Sequence, residues 1–335
     1  SSRWNVPDYN GNATVNVEGL AAGHYPVVAI FNGNENYNKA TATVDFEVYK
    51  LNTTVSVEVE PSMKIGESQV INITVNNTNA TGNVIVIVDG VNNTVPITNG
   101  TANFTIEALT SGNHSIVVIY EGDKNLNGNW TSATFEVGKL DAPINMTISN
   151  STVGGKQTIT VEVPENATGQ VLIDINGQPY YANISDGKAV LELDTLPAGE
   201  YDVVATYLGD DTYLRNSTSG KFNVTKNNST LEIAPQNITC GESETITFTV
   251  PEDATGNITV VVANETYTVP VSGGTGTLTI PKLPAGNYTI NATYNGDDKY
   301  EPVSNSTSFE VSKTDDTDLK VIDQGNGTVV VVVGD

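Results

Sequence analysis

The chain has 335 residues, of which 39 are acidic and 15 basic, for a formal net charge of −24. With no basic stripe to displace counterions from phosphates, nucleic acid is excluded as a partner, and contact with an anionic membrane surface falls on the same ground. A single cysteine excludes an internal disulfide framework, and no apolar run approaches the roughly 18 residues of a membrane-spanning helix.

The first segment, residues 1–50, opens abruptly with SSRWNVPDYN, with no secretion leader, and reads as a fragment or processed form. It contains LAAGHYPVVAIFNGNENY at 20–37 and ends on FEVYK. The same phrases return as LTSGNHSIVVIYEGDKNL at 109–126, LPAGEYDVVATYLGDDTY at 196–213 and LPAGNYTINATYNGDDKY at 283–300. The closing lysines Lys50, Lys139, Lys226 and Lys313 lie 89, 87 and 87 residues apart. A phrase written four times in register is a structural module rather than a catalytic loop. The spacing predicts three complete repeats, 51–139, 140–226 and 227–313, preceded by the later strands of another (1–50) and followed by the first two strands of a further one (314–335).

Within 227–313 the runs STLEIA, ETITFTVP, GNITVVVAN, YTVPVS, GTLTIP, NYTINATYNG and STSFEVSK alternate with period two, are rich in β-branched residues and are broken by Gly, Pro, Asn and Asp. Seven short antiparallel strands in about 87 residues predict an immunoglobulin-like β-sandwich. The fold class is therefore all-β: tandem immunoglobulin-like sandwiches. Tyr25, Tyr201 and Tyr288 stand where such a sandwich carries its tyrosine corner, a ring turned back onto upstream backbone. His114 departs from that pattern and puts the corner of its repeat in doubt. Each last strand runs straight into the next first strand, as in FEVYKLNTTVSVEV, with no Gly/Ser or Pro-rich tether. Stiff junctions and an elongated rod on the order of 150 Å follow from strand lengths of this size.

The phrases LPAGxYxVxATYxGDxxY, ATGNVxVxVxG and FEVxK resemble the bacterial Ig-like repeats of large surface proteins, above all the Asn/Thr-rich adhesin-like proteins of methanogenic archaea. The resemblance covers nearly the whole chain. It implies an extracellular, cell-anchored, non-enzymatic protein and supplies no active site.

About two dozen N-x-[ST] sequons are present. Asn72, Asn145, Asn257 and Asn291 are the glycosylation candidates, because asparagine is a poor strand former and these four fall within predicted strands. Cys240 aligns with Ile65, which predicts a buried, inert thiol. His24 aligns with variable turn residues, and neither histidine has a repeated partner for a metal or a triad. No cofactor is expected. The acidic turns GDKN (122–125), GDDT (209–212) and GDDK (296–299) read as solvated turns, with calcium as the alternative. The four register lysines read as interdomain hydrogen-bond donors or solvated charges rather than isopeptide partners. Trp4 and Trp130 do not align, so no repeated sugar-stacking face is read, and Trp130 is expected to pack near a turn.

Val329, Val330, Val331, Val332 and Val333 form an aggregation-prone strand, apolar on both faces, and a strand-addition candidate. Two function classes follow. One is a surface adhesin or stalk whose partners are other cells or surface glycans and proteins. The other is a head-to-tail filament in which 314–335 completes the opened first module of the next chain. A third reading, an enzyme with these repeats as accessory domains, needs a catalytic part outside this segment.

Overall fold

The structure is a computed structural model describing residues 4–6, 10–315 and 318–333. Every regular element among the described residues is a β-strand, and no helix is long and apolar enough to cross a membrane. The chain divides into two compact units, Ser1–Asp141 with Gly209–Leu214, and Ala142–Leu208 with Arg215–Asp335.

In the first unit, the repeat 51–139 is a two-layer sandwich. One sheet orders Val55–Glu58, Gln69–Val75 and Thr101–Ile106; the other orders Ser62–Lys64, Asn127–Gly138, Gly112–Gly122, Asn83–Val88 and Val91–Pro96. Alternation decides which side chains face in: Val84, Val86 and Val88 are buried while Ile85 and Ile87 between them are only half-buried. The core adds Ile71, Ile73, Ile116, Val118 and Tyr120, each at most 1 % exposed. Burial of such β-branched and aromatic side chains, about 1.5–3 kcal/mol each, is what offsets the backbone entropy of so many short strands.

The second unit holds two further sandwiches. In 227–313 the same two sheets recur, Glu232–Ala234, Glu244–Thr249 and Thr275–Ile280 against Ile238–Thr239, Val303–Ser312, Gly286–Tyr294, Asn257–Val262 and Glu265–Pro270. In 140–226 the two sheets join into one of eight strands, because Gln178–Ser185 turns directly into Lys188–Leu193. The joining residues Asp186 and Gly187 both have positive φ (49° and 72°), the twist a two-residue hairpin needs. Within each sandwich the short second strand and the last strand lie parallel: Ser62–Lys64 on Glu136–Gly138, Ser151–Thr152 on Val224–Thr225, Ile238–Thr239 on Val311–Ser312.

Residues at either end form lone hairpins. Gly23–Phe31 pairs with Ala40–Val48, and Leu319–Asp323 with Val329–Val333. The first segment was expected to show strands from about the fourth onward; among its described residues, 10–22 carry no strand beyond one bridging residue, and the strands begin at Gly23. Val27 and Phe31, core-type by alignment with Val203 and Tyr207 (1 % and 0 %), are 39 % and 40 % exposed here.

Gly122 has φ +87°, and a Cβ on it would meet Leu126 O at 2.6 Å, whereas Gly90 (φ +85°) faces open space. Gly122→Ala is expected to destabilise its module by more than Gly90→Ala, by at least about 1 kcal/mol in urea unfolding, since only the first adds a steric clash to the backbone strain.

Candidate functional site

The corner is built by a hydroxyl that reaches four residues upstream. Tyr25 Oη donates to Ala21 O at 2.6 Å, Tyr201 Oη to Pro197 O at 2.7 Å and Tyr288 Oη to Pro284 O at 2.8 Å. Each ring stacks on the phenylalanine of the last strand, Phe46, Phe222 or Phe309, with centroids 5.0–5.6 Å apart. His114 makes the same bond by other chemistry. Its Nε2 lies 2.7 Å from Thr110 O, again four residues upstream, its Nδ1 lies 2.6 Å from Asp89 Oδ2, and it stacks on Phe135. A carbonyl only accepts and Asp89 presents a carboxylate, so this setting favours the protonated ring, in which both nitrogens donate. Burial works against that charge, but Asp89 and the Thr110 carbonyl outweigh it and raise the histidine above 6.5. His114 in turn, with the Ser115 N–H, holds Asp89 below the usual carboxylate range.

Immediately after the aromatic strand stands a second recurrent device. Asp123 Oδ1 accepts from the N–H groups of Asn125 and Leu126, closing its turn, while Oδ2 accepts the N–H and hydroxyl of Thr81 at 3.0 Å each. Asp297 repeats this with Lys299, Tyr300 and Thr255. Burial would push these carboxyls up; the backbone and threonine donors, with the nearby tyrosine, prevail and hold both at about 2. Burial, then the neighbouring Asp123, pushes Tyr120 up to about 12. The acceptor capacity of both carboxylates is thus spent on protein donors, which gives the acidic turns a role as loop locks. No cluster of three or more His, Cys, Asp or Glu with metal-holding geometry occurs among the described residues.

The same turn receives the incoming chain. Lys50 Nζ donates to Asp123 O at 2.7 Å, Lys139 Nζ to Asp210 O, and Lys226 Nζ to Asp297 O. The residue after each lysine forms an isolated parallel bridge on the turn: Leu51 with Leu126, Leu140 with Tyr213, Asn227 with Tyr300. Each bridge has two main-chain bonds, for example Leu51 N to Asn125 O at 2.9 Å and Asn127 N to Leu51 O at 2.8 Å. Three asparagines then pin the strand that follows. Asn129 Nδ2 donates to Thr53 O, Asn216 Nδ2 to Ala142 O and Asn305 Nδ2 to Leu231 O, at 2.5–2.8 Å. All three head N-x-[ST] sequons, so their recurrence has a structural cause. Sequence reading missed these locks; the signal available was the 87- to 89-residue spacing of Asn129, Asn216 and Asn305.

The remaining predicted residues are scattered. Asn72, Asn145, Asn257 and Asn291 each lie on a strand with an exposed side chain. The five valines 329–333 form the outer strand of their hairpin, all exposed. Cys240 is a correction: it is a free, exposed thiol, with Sγ 3.8 Å from Leu283 O. Its backbone repeats Ile65, since Cys240 N bonds Ser312 O as Ile65 N bonds Gly138 O, but its short side chain does not reach the core that half-buries Ile65. His24 sits in a strand rather than a turn, 3.7 Å from Glu47. Trp130 lies on the strand Asn127–Gly138 and is 64 % exposed, rather than packed near a turn.

Two pH effects follow. Asp123 and Asp297, lowered in the folded state, contribute stability that is present above about pH 4 and lost as pH falls toward about 2. Asp297→Asn, which sets an amide N–H against the Thr255 N–H, is expected to remove that acid dependence from its module and cost roughly 1–3 kcal/mol at neutral pH by calorimetry. His114, raised in the folded state, contributes stability that is full below its unfolded value of 6.5 and lost as pH rises through the folded one. His114→Tyr should flatten the alkaline decline of that module's melting temperature.

The sequence model of the bacterial Ig-like domain (group 3) matches residues 55–138, 145–227 and 231–312. No curated protein matches the chain. Among solved structures, a tetra-tandem repeat from the extending region of a large adhesion protein is 17% identical, with 90% of this chain and 85% of that one covered and a TM-score of 0.40. Fibronectin(III)-like modules of CbhA from Clostridium thermocellum are 16% identical over 50% of this chain and 95% of theirs, with a TM-score of 0.24. Immunoglobulin domains 1–5 of Sidekick-1 are 15% identical over 92% and 71%, with a TM-score of 0.31. The family assignment rests on the three module matches: this chain belongs to the bacterial Ig-like domain (group 3) family and carries three tandem copies of that domain.

Proposed function

We propose that the chain is a non-enzymatic segment of an extracellular, cell-surface protein, an adhesin-like stalk that mediates attachment to surface glycans or proteins of other cells. The observation that carries this reading is the repeated junction. A lysine and a main-chain bridge fasten the incoming chain to the turn of the next module at Lys50, Lys139 and Lys226. A spacer gains from such fastening, whereas a hinged catalytic assembly would need free linkers there. The most displaced titratable groups, Asp123, Asp297, Tyr120 and Tyr294, all answer to loop locking rather than to a cleft, which supports a role without chemistry. An origin among the adhesin-like proteins of methanogenic archaea accords with the Asn/Thr-rich modules. N-linked glycans fit Asn72, Asn145, Asn257 and Asn291, whose side chains are exposed, better than the three asparagines whose amides pin a strand.

A second reading, the self-assembling filament, is favoured by one observation. The hairpin Gly23–Phe31/Ala40–Val48 exposes Val27, Phe31 and Phe46, and Val329–Val333 is exposed along its length. Strands equivalent to these cover one another in the intact sandwiches. A second copy's 319–333 hairpin would therefore suit the open face.

Beads coated with the chain should attach to cell surfaces more than beads coated with the 227–313 module alone, and equal attachment would overturn the adhesive reading. Lys50→Met with Lys226→Met should raise cleavage between modules by a nonspecific protease if the junction is what holds them. Light scattering separates the filament: growth of the intact chain, lost on deletion of 329–333, supports it, and a monodisperse monomer removes it.

A further inference from the structure

The outward face of the five-stranded sheet in the module 51–139 differs from its counterparts. Cross-strand register aligns Thr94, Ile85, Ile119 and Trp130 in one row, and Asn92, Ile87, Val117 and Ser132 in the next. Ile85, Ile87, Val117 and Ile119 point away from the core yet stay half-buried by their neighbours, and Trp130 stands 64 % exposed beside them. The matching first row is Tyr181, Leu172, Thr206 and Ser217 in the next module, and Thr268, Thr259, Thr293 and Ser304 in the last. The frame is shared, but only this module lays a tryptophan against four aliphatic side chains.

We propose that this face binds a neutral oligosaccharide, stacked on the Trp130 indole and lying across the strands; the inference rests on the adhesin reading and names the ligand class it would use. Three features select this occupant. The first is size. Five apolar side chains spread over three adjacent strands make a flat strip roughly 10 Å wide at the usual strand spacing. A stable protein partner needs about 20–30 residues a side, so the strip suits a short ligand. Charge is the second. Neither row holds an ionisable group, while Glu121 follows Ile119 on the same strand face and Asp89, on the other flank, is already paired with His114. A phosphate-bearing ligand would find no cation in either row. The third is the rim. Asn92, Thr94 and Ser132 are exposed and have no side-chain hydrogen bond within the described residues, so amide and hydroxyl groups surround an apolar platform. An aromatic face for the C–H side of a sugar ring, with neutral donors and acceptors for its hydroxyls, is the complement of an uncharged saccharide.

The test uses the full chain from a bacterial host, so that no glycan sits on the Asn92 sequon. The probes are an array of neutral hexasaccharides (gluco-, manno- and N-acetylglucosamine series), followed by isothermal titration with those retained. Binding is expected, weakened at least about tenfold by Trp130→Ser or Ile119→Thr, residues the next module already carries at these places, with melting temperature unchanged. No retention of any hexasaccharide at millimolar concentration, or retention indifferent to both substitutions, overturns the proposal. Concentration-dependent mass in sedimentation that Trp130→Ser abolishes also overturns it, in favour of a second copy. The two readings fail separately. Bead attachment that survives Trp130→Ser keeps the adhesin and removes this site, and sugar binding without bead attachment does the reverse.

Discussion

Each module rests on one carboxylate in the turn that follows its buried tyrosine strand. Asp123 and Asp297 face three ways at once. One oxygen closes the turn, the other holds the threonine at the start of the strand Asn83–Val88 or Asn257–Val262, and the residue's own carbonyl faces the lysine of the preceding module. A partly buried carboxylate is costly unless its acceptor sites are filled, and here four donors fill them. The turn is thereby fixed, and only a fixed turn can present two main-chain groups at the right spacing for the bridge to Leu51 or Asn227. Loop closure inside a module and fastening between modules are the same interaction seen from two sides.

Much of this was legible in the sequence because periodicity survives substitution. The 87-residue repeat, the strand alternation and the strand carrying a buried Tyr120, Tyr207 or Tyr294 near its end all appear in the sheets. Those features follow from backbone geometry, which side-chain pattern reports directly. The role of the acidic turns was not legible. The partner of Asp123 is Thr81, 42 residues upstream, and nothing local in GDKN distinguishes a locked carboxylate from a solvated or metal-binding one. Cys240 failed for a related reason. Alignment with Ile65 transfers a backbone position and its hydrogen bond, but burial depends on how far the side chain reaches. His114 shows the converse: a change of residue that preserved the function of the position, because a ring nitrogen can occupy the place of a phenol oxygen.

The outer face of the module 51–139 was written in plain sight. NVIVIV and SIVVIY are apolar at both odd and even positions, where a strand with one wet face would alternate. In a sandwich with no third layer, such a run leaves one face of β-branched side chains against solvent. The equivalent strands QVLIDI and NITVVV break the pattern with Asp174 and Thr259.

This division of labour follows from what each position must satisfy. Inward positions are held by packing, and junction positions by the carboxylate, the lysine and the asparagine amide, so both recur at fixed spacing. Outward rows satisfy only solubility, which a net charge of −24 spread over the chain secures without needing every face to be polar. One apolar strip is then tolerated on one module. A repeated scaffold can therefore vary its surface module by module while its strands, corners and junctions stay the same, and any selective contact has to be sought where the repeats differ.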